Sequence, residues 1–93
     1  MPTGTVQSGE LRVKFEAFVE VRLRPGISDP QGATIERALP ALGFDGVTEV
    51  RVGKAIRFTI EALDEATARE MSAAVTDRLL ANPVIEEAEV SIL

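Results

Sequence analysis

The run RVKFEAFVEVRLR, residues 12–24, alternates between apolar and charged side chains at all but one position. Phe15, Ala17, Val19, Val21 and Leu23 fall on one side, and Lys14, Glu16, Glu20, Arg22 and Arg24 on the other. A period of two marks a strand with one face in a core and one in water, so this stretch predicts a long half-buried strand. Phe18 is the exception, an aromatic ring on the charged side. It reads either as a lone surface apolar residue or as part of an interface. Pro25-Gly26 ends the strand, and Asp29-Pro30 supplies a helix cap followed by proline at the first helical position. Ile35, Leu39 and Leu42 then recur at helical spacing, with Gly43 placed to close the helix in a left-handed conformation. Pro40 lies inside this pattern, so the helix is expected to kink or tighten near Ala38 to Ala41.

Downstream, Asp45-Gly46 is a turn dipeptide, and Val47 to Val52 reads as a short strand. With Gly53-Lys54 as a break, it is expected to form a hairpin with Ala55 to Glu61, whose Ile56, Phe58 and Ile60 share one face. Asp64 caps a second helix with Ala68, Met71, Val75 and Leu79 as its apolar stripe, widened by Leu80. Asn82-Pro83 stops that helix, and Val84 to Leu93 closes the chain as a strand in which Ala88, Val90 and Ile92 alternate with polar residues. The order is β-α-β-β-α-β. This predicts an α+β, ferredoxin-like fold, an antiparallel sheet with two helices on one face.

A first strand of thirteen residues reaches about 43 Å, whereas a helix of equal length above it spans about 20 Å. Either a bulge bends the strand near Glu16 to Phe18, or the overhang pairs with another subunit. The expectation is a homodimer or homotetramer built through the sheet and the long first strand. Residues 1–11 mix Gly, Pro, Thr and Ser without periodicity and read as a flexible extension, leaving 12–93 as a single domain.

Composition narrows the chemistry. The 93 residues include neither cysteine nor histidine, so disulfides, thiolate nucleophiles, imidazole bases and the usual zinc ligand sets are out of reach. Tryptophan and tyrosine are absent and the net charge is −5, which argues against nucleic acid as a partner. The charge is uneven, with a net +1 over residues 1–60 and −6 over residues 61–93. This acidic end reads either as solvated faces or as a docking surface. No apolar run approaches the ~20 residues of a membrane helix, and nothing at the start resembles a secretory leader. A cytoplasmic protein without membrane attachment is expected.

Three motifs stand out. Asp29-Pro30-Gln31-Gly32 is either an anion-binding helix start or a plain cap. Arg51-Val52-Gly53-Lys54 places two cations about a turn, fit to grip a carboxylate or phosphate or simply to sit in water. In Leu80-Ala81-Asn82-Pro83-Val84-Ile85-Glu86, Asn82 can satisfy helix-end carbonyls while Pro83 fixes the exit angle. The carboxylates offer no distinguishable acid and base pair, and neither a GxxxxGK[ST] nor a GxGxxG nucleotide loop is present. No autonomous enzyme is expected.

With VEVRLRPGISDPQGATIERALPALGFDGVTEVRVGKAIRFTIEA over residues 19–62 and LLANPVIEEAEV over 79–90, the chain resembles the PurS family, the small subunit of phosphoribosylformylglycinamidine (FGAM) synthase. This resemblance implies a non-catalytic subunit in purine biosynthesis. It would bridge a glutaminase subunit, PurQ, and a synthetase subunit, PurL, in a complex that makes FGAM from formylglycinamide ribonucleotide (FGAR), glutamine and ATP. It implies no cofactor on this chain itself, ATP and magnesium being used by the synthetase. The contact positions that the resemblance brings forward are Phe18, Arg22, Asp29, Arg51, Lys54, Asn82 and Pro83. The competing expectation is a ferredoxin-like regulatory domain that binds a small metabolite. An acylphosphatase-like enzyme shares the element order, but Arg24-Pro25-Gly26 is a poor match to its phosphate loop.

Overall fold

The computed structural model describes residues 11–93, so the extension expected over residues 1–11 lies outside the described residues but for Leu11. The described elements are β1 (Val13–Leu23), α1 (Pro30–Ala38), a 3₁₀ turn (Pro40–Leu42), β2 (Gly53–Ala62), α2 (Glu65–Val75), a π-helical turn (Thr76–Leu80) and β3 (Glu86–Ile92). Three strands form one antiparallel sheet in the order β2-β1-β3. The α+β class and the antiparallel sheet follow the sequence pattern. The four-stranded βαββαβ order does not.

The missing strand is the one expected over 47–52. Its backbone donors are taken by side chains: Val50 N donates to Glu36 Oε1 at 3.0 Å and Val52 N to Asp29 Oδ2 at 2.7 Å. Glu49 adopts φ 58°, a left-handed conformation that interrupts an extended run. A segment whose N–H groups already have partners on α1 gains less from forming a ladder. Gly53 is thus the first residue of β2 rather than part of a hairpin turn, and it pairs with Arg22. A Cβ there would come within 2.7 Å of the Val21 carbonyl oxygen, which is why glycine suits the site.

β1 is central and carries the core. Ala17, Val19 and Val21 are buried, and Phe15 pairs with Ile60, Ala17 with Phe58 and Val19 with Ile56 on the same face. No bulge bends it, since ten successive residues pair with β2. Pairing with β3 begins only at Ala17, opposite Ile92, while the start of β1 is paired within the chain by β2. The other face is polar. Glu16 pairs with Arg57 at 3.6 Å, and Arg22 with Glu20 at 3.2 Å and with Glu87 at 3.7 Å.

Only one of the two helices covers the sheet within the chain. α2 packs on all three strands through Ala68, Ser72 and Thr76, which are buried. Small residues at four-residue spacing let the helix approach closely, so of the expected stripe Ala68 is buried as read, whereas Met71, Val75 and Leu79 are exposed. α1 contacts chiefly the 3₁₀ turn that follows it and does not pack extensively on the sheet. The expectation of two helices on one face fails here because residues 24–52 form an arm reaching away from the strands. The radius of gyration, 19.2 Å, compares with about 12 Å for a compact domain of this length. Near Pro40 the helix tightens into its 3₁₀ turn, and Gly43 closes it at φ 95°, both as the sequence indicates.

Candidate functional site

The root of the arm meets the end of the sheet, and there the motif residues gather. Asp29 caps α1 by accepting from Gly32 N at 2.9 Å, while its other oxygen holds Val52 N. The hydrogen bonds from Gly32 and then Val52 hold its carboxyl below the ordinary carboxylate range, and the nearby Arg51 charge adds to this. Gly32 is buried because the Val50 carbonyl lies against it, leaving no room for a side chain. Arg51 donates to the Ile27 carbonyl at 3.1 Å and to the Arg24 carbonyl at 3.4 Å. Asp29, Glu36 and Arg51 therefore brace the two legs of the arm against each other.

A second latch ties the arm to the C-terminal strand. Arg24 donates from Nε and Nη2 to the Pro83 carbonyl at 3.1 and 2.9 Å, and its backbone N–H donates to Ile85. Asn82 Oδ1 accepts from Val84 N at 3.1 Å, and Glu86 Oε1 accepts from Asn82 N at 2.7 Å. Asn82 is thus a turn residue and Pro83 an acceptor for the arm. Sequence reading missed Arg24, Glu36 and Glu87 as members of this network. Only Arg24 carried a signal, its place directly before Pro25-Gly26, because the partners of the others lie far along the chain.

Between these braces lie two open clefts that share a wall. One, about 350 Å³, is lined by Glu20, Arg22, Arg51, Gly53 and Lys54 among others. The other, about 470 Å³, lies against Val21, Leu23, Asp29, Val52, Lys54 and Glu86. Arg22, Asp29, Arg51 and Lys54 are thus brought together, with Pro83 attached through Arg24. Among the described residues, Lys54 is the one basic member with neither an ion pair nor a side-chain hydrogen bond. Phe18 stands apart on the polar face, its ring under the Arg57 guanidinium at 5.1 Å.

Chemically, this region holds backbone in place and presents charge. Its carboxylates accept from backbone N–H groups rather than converging on a reacting atom. Among the described residues, no group of three or more acidic side chains has metal-site geometry.

A family profile described as PurS, phosphoribosylformylglycinamidine (FGAM) synthase, matches residues 16–93. The chain belongs to the PurS family. It is 50% identical over 72 residues to the phosphoribosylformylglycinamidine synthase subunit PurS of Synechocystis sp., covering 77% of this chain and 72% of that one. The crystal structure of the purS subunit (EC 6.3.5.3) from Thermotoga maritima superposes with a TM-score of 0.80 at 36% identity, over 88% of this chain and 94% of that one. A chain in the structure of PurLQS from Thermotoga maritima superposes with a TM-score of 0.80 at 37% identity, over 87% of this chain and 99% of that one. The three-stranded sheet with two helices thus matches the solved PurS structures. Among the described residues, no helix of this PurS-family chain is long and apolar enough to cross a membrane.

Proposed function

We propose that this chain is the small, non-catalytic subunit of an FGAM synthase complex, bridging PurQ and PurL and assisting ammonia transfer between them. The observation that carries the reading is the likeness to a chain of the Thermotoga maritima PurLQS structure, which extends over 99% of that chain. Ammonia released into neutral water is largely protonated and lost as a nucleophile, so docking the two reaction sites and excluding solvent has direct chemical value. A subunit can supply that with surface alone. ATP and magnesium act on the synthetase, and this chain works in the cytoplasm as a dimer or tetramer.

The contact set we assign is Phe18, Arg22, Asp29, Arg51, Lys54, Asn82 and Pro83, in three roles. Asp29, Arg51, Asn82 and Pro83 shape the arm root, as their hydrogen bonds indicate. Arg22 and Lys54 line the cleft and offer charge, while Phe18 and Arg57 offer a flat patch on the open face. The test is glutamine-dependent FGAM formation by PurL and PurQ from the same cell, with and without the chain. Activity with glutamine that requires the chain, beside ammonia-dependent activity that does not, is the expected result. Equal glutamine-dependent rates without it would overturn the reading.

A further inference from the structure

Two groups of hydrogen bonds fix how the arm sits on the sheet, and they meet at Arg24, the first residue of the arm. Its carbonyl accepts from Ile27 N at 3.1 Å and from Arg51 Nη2 at 3.4 Å, which ties it to both legs. Its backbone N–H donates to the Ile85 carbonyl, and its Nε and Nη2 converge on the Pro83 carbonyl. Its Nη1 lies 3.8 Å from Glu87 Oε2. Among the described residues, no other is bonded both to the two legs of the arm and to the turn over 82–86.

We propose that Arg24 is a pin that makes the arm root and the 82–86 turn one cooperative unit, so that a partner seated on either surface tightens the other. It rests on the reading above, in which Arg51 and Lys54 at the root and Asn82 and Pro83 at the turn meet partner subunits.

Three features carry the proposal. The arm has few other ties to the sheet within the chain, because α1 does not pack extensively on the strands, so its attitude is set at the root. Both ends of the joint are stiff. Glu36 and Asp29 brace Val50 and Val52 against α1, while Asn82 Oδ1 on Val84 N and Glu86 Oε1 on Asn82 N close the turn around the fixed φ of Pro83. Stiff elements pass a displacement on rather than absorb it. The joint itself is weaker than what it joins. The Arg24 and Glu87 side chains are 45% and 42% exposed, and Gly26, at φ 87°, has open space around it. Hydrogen bonds open to water are the ones that break locally, so the Pro83 carbonyl has two states, held by the guanidinium or released to water. A partner that prefers the held state at one surface shifts that population, and by linkage the affinity at the other surface rises by the same factor.

Amide hydrogen exchange of the full chain, at fixed protomer concentration and without partners, tests the coupling. N82A removes the bond to Val84 N and is expected to speed exchange about fivefold at Val84, the loss of one net hydrogen bond, and at least about twofold at Val50 and Val52, with Val19 in β1 unchanged. R51M, read at Val84 and Glu86, repeats the test from the other end. In R24M, which keeps the aliphatic stem and loses the guanidinium, each effect should stay on its own side of the joint. An N82A effect confined to 82–86 would overturn the proposal, as would a spread that persists in R24M or an equal acceleration at Val19, which marks global opening. Wild-type chain is assayed separately with PurL and PurQ, so loss of the bridging reading and loss of the coupling give different results.

Discussion

Replacing Gly32 with alanine should destabilise this protein, although alanine in place of a helical glycine ordinarily adds about 1 kcal/mol. Gly32 is inside α1 and fully packed, and a methyl group there would land on the Val50 carbonyl and lie 2.8 Å from Asp29 Oδ2. The obstacle is backbone, so relief requires moving the 50–52 leg of the arm away from α1. Overpacking of this kind costs about 1–3 kcal/mol, and losing the Val50 to Glu36 bond adds about 1 kcal/mol or more. After the gain in helix propensity, the net loss is about 2 kcal/mol. For a domain of this size that lowers Tm by roughly 8–16 °C. Thermal denaturation at fixed protomer concentration measures it, with A33G as the control. Ala33 is exposed one position along the same helix, and its change to glycine should cost about 1 kcal/mol by propensity alone. A G32A protein as stable as wild type, or more stable, would refute the close approach of α1 to Val50 and with it the reason why no strand forms over 47–52.

Other outcomes follow from the same geometry. The Ser72 hydroxyl is fully buried and has no hydrogen-bond partner among the described residues, so S72A should raise stability by about 1 kcal/mol, and a lower Tm would reveal a partner for it. Because Asp29 ionises more readily in the folded protein, its contribution is complete above the unfolded value of about 3.9 and fades as pH falls through the lower folded value. The stability gap between wild type and D29N should therefore be constant from pH 7 to 5 and close below about pH 4 in urea titrations, while a gap that persisted unchanged at pH 2 would contradict this. K54E should leave the fold intact and weaken assembly with PurL and PurQ, with a reduced salt dependence in pull-down or light scattering. R51E is expected to loosen the arm as well, since Arg51 holds two carbonyls of the opposite leg. Equal assembly by K54E and wild type would remove the cleft from the contact set.

The sequence by itself determined the class and most of the elements. The alternation through Phe15, Ala17, Val19 and Val21 identified the central strand, Asp29-Pro30 and Asp64 marked the helix starts, and Pro40 and Gly43 marked how the first helix ends. These features are local, written in periods of 2 and 3.6 and in the conformational limits of proline and glycine. It also grouped Arg51, Lys54, Asn82 and Pro83 as motif residues without assigning their work. Only the tertiary structure decided that 47–52 is a strap rather than a strand, because Glu36 and Asp29 reach its N–H groups from residues 14 and 23 positions away. Only it decided which stripe of the second helix meets the sheet. Periodicity ranks side chains by apolarity and joins Met71 and Val75 to Ala68, whereas close packing keeps Ala68 and adds the small Ser72 and Thr76. And only it separated the first helix from its own sheet, since an amphipathic pattern states that a face must be buried and says nothing about which chain buries it.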